Sequence, residues 1–300
     1  MNALITGASG FVGRHLLAHL VTSGDTAVGV DRDGPEPVDV VSAPALRRAV
    51  ERAAPDVVYH LAASSHVGES WNDVDGLMRV NVDGTRNVLD ACAAVATVRV
   101  IVVVGSAEEY GAVRTNAPIP EDTPLRPITP YGESKVRAEA LAADAFRESG
   151  LPVVLVRAFN HTGPGQSERF LVPALAARVA RAERDGHTTI DVGNLDTTRD
   201  ITDVRDVVRA YRLLAQHGQP GQAYNVCSGR GIQVADIAHG FLALARCPLE
   251  LSVDPALVRA VDVPALVGDP AKLAETTGWI PELLFDRTLV DLLDEARSRV

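Results

Sequence analysis

The chain has 300 residues, 46% hydrophobic and 4% aromatic, with a formal net charge of −10 at pH 7. This size allows one large domain or two closely joined ones, and the acidic balance argues against non-specific binding to DNA or membranes, although a local site could still bind phosphate. Three widely separated cysteines, no secretion signal and no long apolar run predict a cytoplasmic protein without disulfides, a metal site or a membrane span.

Strand-like and helix-like segments alternate over the first 160 residues. In chain order they are the strand NALIT, a helix over Val12–Val21, the strand AVGVD, a candidate third strand VDV, the helix ALRRAVERAA, the strand DVVYHLAA, the helix NVDGTRNVLDACAAV, the buried strand VRVIVVVGS, a helix from SKVRAEALAADAFRESG that stops at Gly150, and the strand PVVLVRAFN. This alternation, with nearly all-apolar later strands, predicts an α/β protein with a doubly wound parallel sheet of the Rossmann type.

The rhythm changes after residue 160, where Pro and Gly cluster in HTGPGQ before the helix ALAARVARAERDG. We therefore expect a smaller C-terminal α/β lobe that binds the substrate over the carboxyl edge of the sheet. The predicted dinucleotide-binding domain covers 1–160 plus about 188–224, and the predicted substrate lobe covers 161–187 plus about 225–300.

A glycine-rich loop, TGASGFVG, joins the first strand to the first helix. Gly7, Gly10 and Gly13 let the backbone approach a pyrophosphate, which the helix N-terminus attracts. A turn made only for packing is the alternative for such a loop taken alone. Asp31 ends the next strand, where it would accept hydrogen bonds from ribose hydroxyls and repel a 2′-phosphate, which favours NAD. Arg32 would attract that phosphate, so NADP remains open.

Three polar residues are predicted to lie near the same edge of the sheet. Ser106 ends the strand VRVIVVVGS, and Tyr131 and Lys135 are four residues apart on one face of the next long helix. A neighbouring ammonium would lower the pKa of the phenol and make it a usable acid or base, while Ser106 would orient the reacting oxygen. The alternative is a tyrosine at a helix start beside a solvated lysine, but the glycine loop favours a catalytic pair.

The motifs TGASGFVG, HLAA, NVDGTRNVLDA, GSAEEYG and PYGESK together resemble the extended short-chain dehydrogenase/reductase family of nucleotide-sugar epimerases, dehydratases and reductases. The resemblance covers nearly the whole chain. It implies NAD(H) or NADP(H) as the cofactor and Asn81 as a fourth member beside the serine, tyrosine and lysine. It also implies that Phe11 and Val12 of the loop, and Leu61, Ala62 and Ala63, lie along the cofactor.

Later segments resemble the branch of this family that acts on GDP-mannose derivatives: RAFNHTGPGQ, VGNLDTTRDITDVRDVVRAY, YNVCSGRG and VDVPALVGDPAKLAETTGW. This resemblance implies a nucleotide-diphosphate sugar as substrate. The residues it places along that substrate are Asn160, Val192, Asn194, Leu195, Arg199 and Arg259, with the two arginines on the diphosphate. His66, Ser70 and His161 lie in segments near the sugar, and each is as readily a residue without a ligand.

The resemblance leaves three reactions open. It favours NAD(P)H-dependent reduction of the C-4 ketone of a nucleotide-linked 4-keto-6-deoxy-hexose, with GDP-4-keto-6-deoxy-mannose preferred. The alternatives are a GDP-mannose 4,6-dehydratase and a dTDP-sugar 4-ketoreductase or epimerase. Glu108, in Ser106-Ala107-Glu108, occupies the position where dehydratases carry a catalytic glutamate, but reductases can carry one too. A distant alternative is a non-catalytic dinucleotide-binding regulator, although such proteins often lose the tyrosine or lysine that this chain keeps.

Two predicted helices, at 81–95 and 133–149, resemble those that pair subunits in this family. Val136, Ala140, Ala143 and Phe146 lie near one stripe of the second helix, which could equally pack within the same chain. We expect a homodimer through a four-helix bundle, with neither nucleic acid nor membrane as a partner.

Overall fold

The computed structural model describes residues 1–33, 37–65, 70–113, 117–258 and 263–300. The strands are β1 (Asn2–Thr6), β2 (Thr26–Val30), β3 (Val57–His60), β4 (Val100–Ser106), β5 (Val153–Ala158), β6 (Asn160–Thr162), β7 (Thr189–Val192), β8 (Thr198–Asp203), β9 (Ala223–Val226), β10 (Gly231–Gln233), β11 (Glu250–Val253) and β12 (Ala265–Leu266). The α-helices are α1 (Phe11–Thr22), α2 (Ala43–Ala53), α3 (Val74–Met78), α4 (Gly84–Ala93), α5 (Pro130–Ser149), α6 (Leu171–Asp185), α7 (Val204–His217), α8 (Val234–Leu244), α9 (Ala271–Thr277) and α10 (Phe285–Arg299). Among the described helices, none combines the length and the apolar character that crossing a bilayer requires.

Six parallel strands form the main sheet in the order β2-β1-β3-β4-β5-β9. The chain leaves β1 towards β2 and then returns to the other side of β1 as β3, so the winding direction reverses between β1 and β3. Crevices at such a reversal, outside the carboxyl ends of the strands, are where open α/β sheets bind ligands. The predicted doubly wound parallel sheet is confirmed.

The candidate strand VDV is wrong, because residues 38–40 lie in a loop. The Val38 amide donates to the Asp31 carbonyl at 2.7 Å, and the Val40 carbonyl accepts from the Asn87 side chain at 2.8 Å. Both valines are buried. Their apolar alternation therefore reflects packing against the helices rather than pairing with a neighbouring strand.

Helices cover both faces of the sheet, and alternate residues along each strand enter opposite cores. On β1, Ala3 and Ile5 face a core built with α1, α7 and α9, whereas Leu4 faces a second core built with α2, α4 and α5. On β5, Val154 and Val156 join the first core. Strands buried on both faces need this nearly continuous apolar sequence, as the sequence analysis expected.

A smaller lobe adjoins the carboxyl edge of the sheet. Its strands β10, β8 and β12 form one path, β6 also pairs with β8, and β7 pairs with β11 in a separate ribbon. Helices α6, α8 and α10 enclose its apolar core. The strand β6 begins two residues after β5 ends, so the chain passes directly from the main sheet to the lobe. The residue boundaries predicted for the two domains stay a prediction. Strand β7 falls in the range predicted for the dinucleotide-binding domain, whereas its partner β11 falls in the range predicted for the substrate lobe.

Candidate active site

The glycine loop lies between the end of β1 and the start of α1, at the reversal point of the sheet. Gly7 has φ +73°, and a Cβ there would lie 2.8 Å from the backbone N of Ala62. A Cβ on Gly13 would lie 2.2 Å from the carbonyl oxygen of Gly7. Side chains at these two positions would collide with backbone, which cannot move aside. The loop therefore keeps its main chain close to the segment that follows β3, as a pyrophosphate cradle requires.

Helix α1 points its N-terminus at this loop. Gly10 is its N-cap residue, in extended conformation, and its amide donates to the Gly7 carbonyl at 3.1 Å. A glycine cap has no side chain to satisfy the first amides of the helix, and Phe11 and Val12 form the first turn. The free amides and the positive end of the helix dipole suit a phosphate group.

Asp31 follows β2 and lies directly beside the loop. Its carboxylate accepts from the backbone amides of Ser9 at 3.0 Å and Arg32 at 2.8 Å. The Arg32 side chain is exposed, with its Nε 3.8 Å from Asp33. On the opposite side of the loop, the Ala62 amide donates to the Thr6 hydroxyl at 3.3 Å, which places Leu61–Ala63 along the crevice. The predicted dinucleotide residues are thus brought together, and they fit such a cofactor.

Ser106 ends β4 and caps the short 3₁₀ turn Ala107–Glu109. Its hydroxyl accepts from the Glu108 amide at 3.2 Å, and its own amide donates to Glu109 Oε1 at 2.7 Å. This reciprocal capping box fixes the serine at the carboxyl edge of the sheet. The 3₁₀ turn packs tightly on α5, because a Cβ on Gly132 would lie 2.6 Å from the Glu108 carbonyl oxygen.

Tyr131 and Lys135 lie in the first turns of α5. The Thr129 hydroxyl caps this helix by accepting from the Gly132 amide at 3.0 Å, and Pro130 occupies its first position. Both catalytic candidates are buried, at 8% exposure each. The neighbour of Tyr131, Gly132, lies against the Glu108 carbonyl of the turn that Ser106 caps, so the start of the helix and the end of β4 meet. Lys135 donates to the Val104 carbonyl at 2.8 Å, with its Nζ 6.0 Å from the centre of the Tyr131 ring.

The electrostatics of this pair differ from the sequence-based expectation. Burial raises the pKa of Tyr131 well above that of a free phenol, and the hydrogen bond from Ser106 opposes this only in part. Burial also lowers the pKa of Lys135, to about 8, against a weaker opposing effect of Glu109. Desolvation outweighs the expected stabilisation of a phenolate because Lys135 is directed at the Val104 carbonyl. In this geometry Tyr131 holds its proton and is a donor.

Asn81 lies in a π-helical turn, Arg79–Asp83, of the kind often found at functional sites. Its side chain accepts from the Ser64 amide at 2.8 Å and donates to the Ser64 carbonyl at 3.1 Å. It also donates to the Ser134 hydroxyl at 2.9 Å, which in turn donates to the Tyr131 carbonyl at 2.7 Å. Asn81 therefore ties the crevice loop after β3 to the helix that carries the tyrosine.

A buried histidine extends this network. His60, at the end of β3, lies between the hydroxyls of Thr6 at 2.8 Å and Thr85 at 2.9 Å. Thr85 donates to the Asn81 carbonyl at 2.6 Å. Burial, aided by the charge of Lys135, lowers the pKa of His60 to about 3, so the ring is neutral at pH 7. This residue was not predicted from the sequence, although it stands within the HLAA motif.

A second group that the sequence analysis missed lies behind Ser106. Glu109 is fully buried, and its Oε2 is 3.8 Å from Nε of Arg157 on β5. Arg157 makes a two-pronged ion pair with Glu139 of α5, at 2.9 and 2.7 Å. The arginine also donates to the Tyr110 hydroxyl at 2.9 Å. The sequence signal was available: Glu109 adjoins Glu108, and Glu139 follows Lys135 by one helical turn.

The predicted substrate residues lie on the smaller lobe and its connections. Asn160 is exposed at the start of β6, where it pairs with Ile201 of β8. Arg199 lies on β8 between Ile232 of β10 and Leu266 of β12. Both are thus held on strands that meet at β8, whereas Glu108 lies across the carboxyl edge on the turn after Ser106.

The other predicted contacts follow β7. Val192 is buried and its carbonyl accepts from the Asp254 amide at 2.8 Å. The Asn194 side chain accepts from the Asp196 amide at 3.0 Å, and Leu195 packs against the core of the lobe. All three of these side chains are thus used in part for folding the lobe. Arg259 and His66 lie outside the described residues.

His161 packs against the glycine-loop helix, and Ser70 is buried. The His161 ring stacks on Phe11 with centroids 6.2 Å apart, and its Nδ1 lies 2.9 Å from the Phe159 carbonyl. Burial lowers the pKa of His161, so its ring is a neutral packing partner of the glycine-loop helix. Ser70 is also buried.

Comparison with known proteins agrees with this geometry. A model of the NAD dependent epimerase/dehydratase family matches residues 3–227. GDP-6-deoxy-D-mannose reductase of Pseudomonas aeruginosa is 34% identical over 298 residues, which cover 99% of this chain and 97% of that protein. GDP-mannose 4,6 dehydratase 2 of Arabidopsis thaliana is 30% identical over 264 residues, covering 86% and 70% respectively. The solved structure of RMD from Pseudomonas aeruginosa complexed with NADPH has a TM-score of 0.91 and 32% identity, over 100% of both chains.

Proposed function

Because the chain belongs to the NAD dependent epimerase/dehydratase family, we propose that it is an NAD(P)H-dependent reductase of the C-4 ketone of a nucleotide-linked 4-keto-6-deoxy-hexose. The preferred substrate is GDP-4-keto-6-deoxy-mannose, which the similarity to GDP-6-deoxy-D-mannose reductase over nearly the whole chain supports. The observation that carries the proposal is that the first turns of α5, with Tyr131 and Lys135, pack against the end of β4 and Ser106 at the edge of the sheet that also holds the glycine cradle.

The reaction divides the work between the dinucleotide and the protein. The reduced dinucleotide, when bound, supplies a hydride to the ketone carbon. Tyr131 then donates its proton to the oxygen that gains negative charge, a direction that suits a buried phenol whose pKa is raised. Ser106, at the end of β4 beside the start of α5, would orient the substrate oxygen. Lys135 would hold the ribose next to the nicotinamide.

The choice between NADH and NADPH depends on the residues after β2. Asp31 beside the loop disfavours a 2′-phosphate, whereas the exposed Arg32 next to it favours one. The similar RMD structure contains NADPH. We propose that the chain uses both dinucleotides, with Arg32 turning outward to bind the phosphate of NADPH.

The nucleotide-sugar would lie between the carboxyl edge and the smaller lobe. Asn160 lies on β6, which pairs with β8, and Arg199 lies on β8 itself. Asn160 would hold the sugar side of the substrate, and Arg199 would hold the diphosphate. Val192, Asn194 and Leu195 would line the nucleotide, with Arg259 as a second diphosphate ligand.

A GDP-mannose 4,6-dehydratase is the second candidate, supported by the glutamate that follows Ser106. Glu108 is partly exposed on the 3₁₀ turn beside Tyr131, close enough to influence the phenol electrostatically. A carboxylate there would serve as the base at C-5 in a dehydration. The similarity to GDP-mannose 4,6 dehydratase 2 is compatible with this reaction.

One experiment distinguishes the two reactions. The purified chain is given GDP-4-keto-6-deoxy-mannose with NADH or NADPH, and the absorbance of the reduced nicotinamide is followed. The reductase consumes it, whereas a dehydratase instead forms a 4-keto sugar from GDP-mannose with no net consumption. Glu108→Gln serves as the matched variant: it abolishes dehydration but leaves most of the reduction. Saturable dinucleotide binding without either reaction would indicate a regulator. Turnover of a dTDP-linked ketone but not of the GDP-linked one would show that the substrate is a dTDP-sugar.

We further propose a cytoplasmic homodimer built on α4 and α5. The stripe of Val136, Ala140, Ala143 and Phe146 is at least partly exposed, whereas Ala138 and Ala142 of the same helix are buried against the sheet. The exposed stripe thus leaves an apolar face for a second copy. Light scattering after size exclusion measures the mass, and Ala140→Glu, at the centre of that stripe, is expected to give the monomer.

A further inference from the structure

We propose that Glu109 is a positioning residue that holds a proton in the resting protein and couples the charge state of the buried cluster behind Ser106 to Lys135. The cluster consists of Glu109, Arg157 and Glu139. The inference rests on the proposed function only in calling Ser106, Tyr131 and Lys135 the catalytic group.

The first observation is the link between Glu109 and Ser106. Glu109 Oε1 accepts from the Ser106 amide at 2.7 Å. The carboxyl group of Glu109 also occupies the space that a side chain at position 105 would need, because a Cβ on Gly105 would lie 2.2 Å from the same oxygen. Glu109 therefore determines how the end of β4 presents the serine hydroxyl to Tyr131.

The second observation is that two carboxylates, of which Glu109 is fully buried, share the guanidinium of Arg157. Arg157 gives both of its prongs to Glu139, whereas Glu109 Oε2 lies 3.8 Å from the arginine, beyond hydrogen-bond distance. Within the described residues, that buried oxygen has no donor. A fully buried anion in this position is unfavourable.

A proton on Glu109 Oε2 resolves the conflict, because this oxygen and the carboxylate of Glu139 lie against the same guanidinium of Arg157. The protonated acid would donate to Glu139 while its other oxygen accepts from Ser106. Burial first, and then the charge of Glu139, raise the pKa of Glu109 well above the usual value of a glutamic acid. The resting cluster thus contains one carboxylic acid, one carboxylate and one guanidinium.

The third observation connects this proton with the catalytic lysine. Lys135 donates to the Val104 carbonyl and Glu109 accepts from the Ser106 amide, so both side chains bind the last residues of β4. The charged or titratable groups that interact electrostatically with Glu109 are Glu139, Lys135 and Tyr131 on α5, and Arg157 on β5. Of the two cations among these groups, Arg157 forms its ion pair with Glu139, whereas the ammonium of Lys135 donates to the Val104 carbonyl. An ionised Glu109 stabilises the ammonium of Lys135, and a neutral one does not. Loss of the Glu109 proton therefore keeps Lys135 charged as the pH rises.

The composition of the chain makes this coupling measurable without substrate. Lys135 and Lys272 are the only lysines in the sequence. The full chain labelled with carbon-13 at the lysine ε position gives two NMR signals, and Lys272→Arg identifies the signal of Lys135. Its titration midpoint is then followed from neutral to alkaline pH in the protein and in its variants.

The proposal predicts opposite effects of two isosteric changes. Glu109→Gln keeps both hydrogen bonds but cannot ionise, so the Lys135 midpoint falls by about one pH unit, the size expected for losing one nearby opposite charge. Glu139→Gln leaves Arg157 to Glu109, which then ionises at neutral pH, so the midpoint rises. Glu133→Gln is the control, because that carboxylate pairs with Arg137 on the exposed face of α5.

Shifts of the Lys135 midpoint in opposite directions support the proposal, since a merely structural role of Glu109 would not make the two variants shift it in opposite directions. Unchanged midpoints in both variants, or shifts of the same sign, would overturn it. Far-ultraviolet circular dichroism and thermal unfolding establish that each variant is folded before its titration is compared. Because this measurement needs no turnover, absence of reductase activity would overturn the proposed function and leave the result on Glu109 unaffected.

Discussion

Substitution of Gly7 by alanine tests whether the glycine loop is held close to the segment that follows β3. The residue has φ +73°, a region that an L-residue with a Cβ enters at a cost of about 1–2 kcal/mol. The new Cβ would also lie 2.8 Å from the Ala62 amide nitrogen and 2.9 Å from its Cα. Both are backbone atoms, so relief of the overlap requires movement of the crevice, and overpacking of this kind costs about 1–3 kcal/mol.

The matched control is Gly150, which caps the C-terminus of α5. Its φ of +71° is nearly that of Gly7, but nothing lies within 4 Å of the position of a Cβ. Gly150→Ala therefore carries the conformational cost alone, about 1–2 kcal/mol, whereas Gly7→Ala carries that cost plus the overlap, about 2–5 kcal/mol in total. The difference between the two variants isolates the close approach.

Urea unfolding measures the free energy of unfolding of both variants, and nicotinamide fluorescence measures NADPH binding. We expect Gly7→Ala to be the less stable variant by about 1–3 kcal/mol and to bind NADPH more weakly by a similar free energy, which is about 5- to 150-fold, since 1.4 kcal/mol corresponds to tenfold. Gly150→Ala is expected to bind NADPH as the unaltered chain does. Equal destabilisation of the two variants with unchanged NADPH affinity would refute the cradle geometry.

Three further predictions concern the buried polar groups. Tyr131→Phe should lower kcat by roughly 10²–10⁴ with little change in substrate affinity, because proton transfer occurs only in the transition state; rapid kinetics that show equal losses in both would contradict the assigned role. His60 has its pKa lowered to about 3 by burial, so the unfolded chain binds more protons between that value and about 6.5, and stability falls as pH falls through this window. His60→Gln should flatten that slope in urea titrations, and an unchanged slope would show that His60 does not cause it. Arg157→Met should cost about 3–5 kcal/mol because the buried carboxylate of Glu139 loses its cation, and adding Glu139→Gln should restore part of the loss; no recovery would contradict the cluster.

The sequence determined the features that depend on short stretches of chain. The strand–helix alternation, the glycine loop and the Tyr131–Lys135 spacing each follow from local periodicity or from a fixed offset along one helix, and the structure contains all three. Such patterns survive in the fold because hydrogen bonding within a helix and alternation along a strand are set by residues close in sequence. The resemblance to a known family added the expected activity.

Tertiary structure alone decided which polar groups are buried together and what charge they hold. Glu108 and Glu109 are adjacent, yet the 3₁₀ turn leaves one partly exposed and places the other behind Ser106 with Arg157 and Glu139. Likewise, Lys135 donates to Val104, and burial reverses the expected effect on the pKa of Tyr131. Desolvation depends on atoms from distant parts of the chain, and it outweighs the interaction between neighbours that a sequence pattern can reveal.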